Sequence, residues 1–225
     1  MTKDSIILLY GSYARGDADS VSDIDVLVVS SIKPQDDEIS KLLPTSYKGI
    51  LHTSHYTWKE FSVMSSYGSL FLHHIAAEAK ILGFGGDALN HLNHLLSELP
   101  SYQLAKRDLS SFRITVNDVT IGLEIGLPPC FELAVLGGVA RHASVLGCYI
   151  MGKPTYGRKS ISQAAELFQM SAAIKDLELA HKFRLYEEGQ CEIPSEVSLT
   201  DVTRTVQIVS TFLDRIEEAI YADAA

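Results

Sequence analysis

The sequence predicts an α+β protein in which a small sheet-containing domain precedes an α-helical bundle. Two short apolar runs, residues 5–10 and 22–30, have the length and composition of buried strands. After residue 100 the pattern changes to long amphipathic stretches, and we expect no further strand there. With 225 residues, 46% of them hydrophobic, the chain can bury a core. We therefore expect one domain over residues 1–90 and a helical bundle over residues 100–225.

The other elements of the first domain follow from the same periodicities. Residues 12–22 have room for a short helix and a turn, and residues 32–44 for a loop and a helix. Residues 47–57 are expected to form a third strand. One helix is then predicted over residues 57–83, because apolar residues recur there at helical spacing. These residues are Phe71, Leu72, Ile75, Ala79 and Leu82.

The second half is predicted to hold four amphipathic helical stretches. Their expected ranges are 101–126, 130–151, 160–188 and 200–222. Thr200 is the expected N-cap of the last helix.

Composition and charge exclude several classes of function. The net charge of −9 at pH 7 leaves no basic field for a long polyanion, so we expect no binding of duplex nucleic acid. Cys130, Cys148 and Cys191 have neither CxxC spacing nor an even number, and we expect reduced thiols. The N-terminal apolar run is too short for a signal sequence, and no segment is expected to approach the roughly 18 residues that span a bilayer. These features predict a cytoplasmic protein without a membrane partner.

Asp23 and Asp25 stand out in the second predicted strand. Side chains alternate along a strand, so both carboxylates should point to the same face and repel each other. The first strand ends at Gly11 and Ser12, where a helix start would offer backbone N–H groups to an anion. Carboxylate and phosphate oxygens are the ligands that Mg²⁺ prefers. Together these residues predict a site for a metal-bound nucleoside triphosphate.

The same residues resemble a signature of the DNA polymerase β-like nucleotidyltransferase superfamily. The resemblance is strongest to its small prokaryotic branch of minimal and aminoglycoside-type nucleotidyltransferases. That signature reads GS-x-x-RG and then SD-x-D, and the chain has GSYARG at residues 11–16 and SDID at residues 22–25. The resemblance is close over residues 5–30 and looser over residues 69–83. It implies a small mixed-sheet nucleotidyltransferase domain followed by the helical bundle.

The resemblance also implies roles for the site residues. Gly11 and Ser12 would hold the triphosphate of an NTP, with ATP the expected one, and Asp23 and Asp25 would hold two Mg²⁺ ions. Arg15 would contact phosphate, although a solvated turn residue is an equal alternative. The nucleoside monophosphate would pass to an unidentified hydroxyl acceptor with release of pyrophosphate.

The superfamily has a third carboxylate on the next strand, and this chain departs from that pattern. The third predicted strand contains no Asp or Glu, and His52 falls about where the acid is expected. An imidazole can accept a proton but is a poor ligand for Mg²⁺. Three alternatives stay open: His52 is the base, an acid such as Glu78, Glu124 or Glu132 replaces it, or the site has decayed. A solvent-facing His52 without a catalytic role is also compatible with the sequence.

Two further features bear on partners. The loop at residues 151–160 carries Lys153, Tyr156, Arg158 and Lys159, which could hold phosphate or acceptor, or could simply be solvated. The alternative to an enzyme is a nucleotide-binding regulator or antitoxin-like partner on a catalytically impaired nucleotidyltransferase fold. A protein partner or a homodimer is left open. An enzyme is the preferred interpretation, because a decayed site has no reason to keep a repelling carboxylate pair.

Overall fold

The computed structural model describes residues 4–19 and 22–222 and confirms the α+β class. The chain divides into two compact units, Met1–Gln103 and Leu104–Ala225. The described strands all lie in the first unit, and the second consists of helices. Residues 20 and 21, in the turn predicted before the second strand, lie outside the described residues.

In the part of the first unit that the structure describes, a four-stranded mixed sheet forms the centre. Its strands are β1 (Ile6–Tyr10), β2 (Ile24–Val29), β3 (Leu51–Tyr56) and β4 (Lys80–Phe84), in the order β3-β2-β1-β4. β1 is antiparallel to both β2 and β4, whereas β2 and β3 are parallel. β1 and β2 are the central strands and are almost fully apolar, because both faces of the sheet are covered.

Within residues 4–19 and 22–103, five helices accompany this sheet. They are α1 (Gly11–Arg15), α2 (Asp36–Ser40), α3 (Trp58–Ser66), α4 (Leu70–Glu78) and α5 (Ala88–Ser97). On one face of the sheet Leu8 and Leu27 pack against Phe61 of α3 and Leu72 of α4. On the other face Leu9, Val26 and Val28 pack against Ala14 of α1 and Ile39 of α2. The alternation of side chains along each strand thus divides the core into two layers.

The prediction of a single helix over residues 57–83 is wrong. The chain forms α3, a break, α4 and then the edge strand β4. Gly68 causes the break, because its φ of +65° is incompatible with a continuing helix, and a Cβ there would overlap backbone carbonyls of Pro100 and Ser101. Leu82, assigned to the helical stripe from the sequence, lies in β4 instead.

Over its described residues, 104–222, the second unit is a bundle of five α-helices and a short 3₁₀ helix. The α-helices are α6 (Ala105–Glu124), α7 (Pro129–Ile150), α8 (Ser160–Leu167), α9 (Ile174–Glu187) and α10 (Leu199–Ala222), and the 3₁₀ helix is Ser171–Ala173. α7 packs against the other four α-helices. The stretch expected to be helical over residues 160–188 is interrupted after α8, where Gln169 has a φ of +57°.

The N-cap predicted for the last helix is wrong by two residues. Ser198 Oγ accepts a hydrogen bond from the Asp201 N–H at 3.2 Å, and Asp201 Oδ2 accepts one from the Ser198 N–H at 3.0 Å. This reciprocal pair is a capping box, and it places Thr200 inside the first turn.

The expectation that no segment approaches the length of a membrane span is also wrong. α7 is long and apolar enough by length and composition, with a mean hydropathy of 1.4 in its most apolar window. Within that window 61% is buried inside the protein, as in a core helix of a soluble protein. One such helix is therefore weak evidence for a membrane.

Candidate active site

The first strand ends at a glycine that lies against the second strand. Tyr10, the last residue of β1, is paired with Asp25 of β2, and Gly11 follows it at the start of α1. The φ of Gly11 is +71°, which glycine adopts without strain. A Cβ on Gly11 would lie less than 3.0 Å from Oδ2 of Asp25. A side chain at this position would therefore overlap the carboxylate.

Ser12 is the second residue of α1. Its carbonyl accepts hydrogen bonds from the N–H groups of Gly16 at 2.9 Å and Asp17 at 3.1 Å, which close the single helical turn. Within the described ranges 4–19 and 22–222, its hydroxyl makes no hydrogen bond to another residue. The hydroxyl is thus available to a ligand beside Gly11.

Asp25 and Asp23 form the carboxylate pair that the sequence predicts. Asp23 immediately precedes β2, and the half-buried Asp25 is the second residue of that strand. The pKa of Asp25 is raised, mainly by burial and next by the negative charge of Asp23. His52, His74 and Arg15 act in the opposite direction and lower the pKa of this carboxyl. The ionised pair is therefore destabilised where it stands, and a bound cation would relieve that repulsion.

His52 lies beside the carboxylate pair. In the parallel pairing of β2 with β3 it is the register partner of Asp25. Its Nε2 is 3.9 Å from Oδ2 of Asp23, and 54% of its side chain is exposed. The residue therefore faces the pair and is open to an incoming ligand.

Arg15, His74 and Glu78 form a group of ionisable side chains next to the pair. Arg15 Nη1 donates a hydrogen bond to Oε2 of Glu78 at 2.7 Å, and Nε2 of His74 lies 3.0 Å from the same oxygen. Burial opposes ionisation of Glu78, but the hydrogen bonds from His74 and Arg15 outweigh it and lower the pKa of this carboxyl. We refer to these three residues as the Arg15–Glu78–His74 network.

The network argues against a solvated side chain at Arg15, and the contact of Arg15 with phosphate stays a prediction. A solvated turn residue would leave its side chain in water, whereas only 23% of the Arg15 side chain is exposed. Arg15 also contacts Asp17 at 3.2 Å. Its charge is therefore held in place by two carboxylates at the edge of the Asp25 site.

Sequence reasoning missed the role of His74 in this network. The available signal was its i, i+4 spacing from Glu78, which places the two side chains on one face of a helix. That signal could not identify Arg15 as the third member, because the contact joins α1 to α4 across 63 residues of sequence.

The donor set of this site is suited to a hard metal ion only in part. The described residues include no group of three or more His, Cys, Asp or Glu side chains arranged to hold a metal. Asp23 and Asp25 supply hard oxygen ligands, and their mutual repulsion favours a cation. Such a site is typical of Mg²⁺ held by one or two carboxylates together with substrate phosphates.

The other acids considered from the sequence belong to the helical unit. Glu132, in the first turn of α7, is 3% exposed, and burial raises the pKa of its carboxyl. Its Oε1 lies against Gly122 of α6, where a Cβ would overlap it. Glu124 is exposed at the end of α6.

Comparison with known proteins agrees with this site. Residues 2–51 match the family model of the nucleotidyltransferase domain, less than a quarter of the chain. The match contains Gly11, Ser12, Arg15, Asp23 and Asp25 and ends one residue before His52. It supports the polymerase β-like nucleotidyltransferase superfamily and nucleotidyl transfer as the general reaction. No curated protein matches the chain.

Proposed function

We propose that this protein is a Mg²⁺-dependent nucleotidyltransferase of the minimal or aminoglycoside-type branch. It would transfer a nucleoside monophosphate from an NTP, with ATP the expected donor, to a hydroxyl group and release pyrophosphate. The observation that carries the proposal is the contact between Gly11 and the Asp25 carboxylate. This contact supports the proposal because the resemblance assigns phosphate binding to Gly11 and metal binding to Asp25.

Different residues of the chain would bind the phosphates and the metal of the nucleotide. Gly11 lets the backbone approach the phosphates, and the Ser12 hydroxyl offers one more hydrogen bond. Asp23 and Asp25 would hold the metal. Bound Mg²⁺ neutralises phosphate charge and polarises the phosphoryl group that is transferred. Arg15, held by Glu78, would add positive charge at the edge of this site.

The acceptor hydroxyl must lose a proton as the new bond to phosphorus forms. His52 is the proposed acceptor of that proton, because its imidazole is exposed and lies beside Asp23 and Asp25. Glu78 is less suited to this role, because its carboxylate already accepts hydrogen bonds from Arg15 and His74. The rival interpretation, a catalytically impaired regulator, is not favoured by the family match.

The domain boundaries and the acceptor belong to this proposal as well. Residues 1–90 would form the catalytic domain, and residues 100–225 would form a helical domain that selects the acceptor. That acceptor is a small molecule, a protein side chain or an RNA end, each of which carries a hydroxyl group.

Calorimetry with Mg-ATP tests the binding part of this proposal. Wild-type protein should bind Mg-ATP, and Asp25→Asn should lose the Mg²⁺-dependent part of the affinity. The matched control is Asp37→Asn, which removes an exposed carboxylate of α2 that is 3.8 Å from Lys41. Equal affinity for Mg-ATP in wild type and Asp25→Asn would contradict the site.

A further inference from the structure

A cavity of about 700 Å³ lies in the first unit, between the sheet and the segment that leads into α2. Its buried lining includes Ile7 of β1 and Val28 of β2, which are register partners in the sheet. Ile32 and Leu42 line it from the α2 side, and both of these side chains are exposed. The volume falls within the roughly 300–1,000 Å³ of small-molecule sites in proteins. The cavity can therefore hold a small molecule against an apolar surface.

This cavity is separate from the candidate active site. Val28 packs with Ile7 and Ile39 in one layer of the core. Asp25 is three residues earlier in β2, so its side chain points to the other face of the sheet. Three residues along a strand also correspond to about 10 Å. A molecule in the cavity would therefore not contact the carboxylate pair.

Lysine is the prevailing charged residue around the cavity, which is lined by Lys33, Glu38 and Lys41. Glu38 Oε2 accepts a hydrogen bond from the Gln35 N–H at 3.2 Å, as part of the capping box of α2. Lys41 lies 3.8 Å from Asp37. In the part of the chain that the structure describes, Lys33 has no ion-pair partner. Its ammonium group is therefore available to an anion at the cavity.

We propose that this cavity binds a small monocarboxylate with an apolar body. The apolar body would lie against Ile7, Val28 and Ile32, because covering these side chains removes apolar surface from water. The carboxylate would pair with the Lys33 ammonium group. That group is a compact single charge, so it matches a monoanion better than the triphosphate of a nucleotide. The inference does not depend on nucleotidyl transfer.

Calorimetry of the full chain with octanoate tests the charged part of the site. Lys33→Gln should weaken binding by about fivefold, as expected for loss of an exposed ion pair. The matched control is Lys59→Gln, which removes an exposed positive charge from α3, the helix that packs through Phe61 on the other face of the sheet. The control should stay within about twofold of wild type. No binding of octanoate to wild type, or an equal loss in both variants, would overturn the proposal.

An uncharged probe of the same chain length separates the charge from the apolar body. 1-Octanol should bind wild type more weakly than octanoate does, and its affinity should be the same in Lys33→Gln. If 1-octanol binds wild type as tightly as octanoate, the cavity does not select an anion, and the proposal is overturned.

A matched pair of isoleucine variants tests the apolar part of the site. Ile32 and Ile50 are 68% and 70% exposed, so truncation of either should leave the fold intact. Ile32→Ala should weaken octanoate binding by about fivefold, because it removes apolar contact area from the cavity. Ile50→Ala should bind octanoate as wild type does. Equal affinities in the two variants would contradict a site beside Ile32.

NMR of the wild-type protein locates the ligand without any substitution. Addition of octanoate should shift the methyl resonances of Ile7, Val28 and Ile32 and leave that of Ile81, an exposed residue of β4, unchanged. Shifts confined to residues outside the cavity would overturn the proposal. Asp25→Asn should bind octanoate as wild type does. If Asp25→Asn abolishes binding while Lys33→Gln does not, octanoate binds at the candidate active site, and the cavity is excluded.

Discussion

Gly11 lies directly against the carboxylate of Asp25, with no room for a Cβ between them. The contact joins the end of β1 to the start of β2, two strands paired in antiparallel register. It explains why a glycine with a φ of +71° stands where α1 directly follows β1. The close approach also places the start of α1 beside a carboxylate pair that favours a cation.

Substitution of Gly11 by alanine tests this contact. Gly11→Ala should lower the affinity for Mg-ATP, because its methyl group must displace Asp25. Gly16→Ala is the matched control, since Gly16 also has a positive φ, +82°, but a Cβ there would meet nothing within 4 Å. Both variants should lose about 1–2 kcal/mol of unfolding free energy from backbone strain. Calorimetry should show a loss of affinity in Gly11→Ala alone, and an equal loss in both would contradict the account.

Replacement of Asp25 by asparagine should not destabilise the metal-free protein at pH 7. The pKa of Asp25 is raised by burial and by Asp23, so the folded state disfavours its ionised form. The wild type therefore loses stability as pH rises through this pKa, and Asp25→Asn does not. The difference in unfolding free energy between Asp25→Asn and wild type should shrink as pH falls towards 3.8, the ordinary pKa of an Asp carboxyl. Urea unfolding between pH 7 and pH 4 measures this difference. If Asp25→Asn is less stable than wild type at pH 7, the proposed repulsion between Asp23 and Asp25 is contradicted.

The Arg15–Glu78–His74 network predicts the opposite dependence on pH. The pKa of Glu78 is lowered, so its carboxylate stabilises the fold above the ordinary value of 4.5, and this contribution is lost as pH falls through the lowered pKa. Glu78→Gln should reduce the free energy of unfolding by about 1–2 kcal/mol at pH 7. The difference from wild type should diminish in acid. Glu124→Gln, at the exposed end of α6, should be neutral in the same unfolding experiment.

His52→Ala tests the proposed base. Turnover should fall by about 10²–10⁴-fold, as expected for loss of general base catalysis, while the affinity for Mg-ATP stays unchanged. The matched control is His55→Ala on the same strand, where the imidazole instead contacts Ser30 Oγ at 3.2 Å. If His52→Ala is silent and Glu78→Gln, Glu124→Gln or Glu132→Gln carries the loss of turnover, a carboxylate and not His52 accepts the proton.

Local patterns predicted the part of the fold where sequence neighbours determine structure. The apolar runs of β1 and β2 and the spacing of Asp23 and Asp25 suffice to place the two carboxylates together at the start of β2. The break at Gly68 and the strand β4 were missed, because apolar residues continue at helical spacing across them. Pairing with β1 and the carbonyls of Pro100 and Ser101 decide these features, and both contacts are distant in sequence.

In the candidate site, too, local sequence predicted some residues, whereas contacts between distant residues determine others. Gly11, Ser12, Asp23 and Asp25 could be identified from a short motif, and the family match covers all four. The sequence placed His52 in the third strand, about where the superfamily has its third acid. In the structure His52 is the register partner of Asp25. The pairing of Arg15 with Glu78 depends on the packing of α1 near α4, which no local pattern encodes.

Release of pyrophosphate from an NTP labelled at its α-phosphate is the most direct measurement of the proposed reaction. Wild-type protein is incubated with Mg²⁺, labelled ATP and pools of hydroxyl acceptors, and both pyrophosphate and labelled product are quantified. The account predicts equal amounts of the two products, dependent on Mg²⁺ and lost in Asp25→Asn but not in Asp37→Asn. Binding of Mg-ATP without pyrophosphate or labelled product from any pool, or transfer that survives in Asp25→Asn, would contradict it.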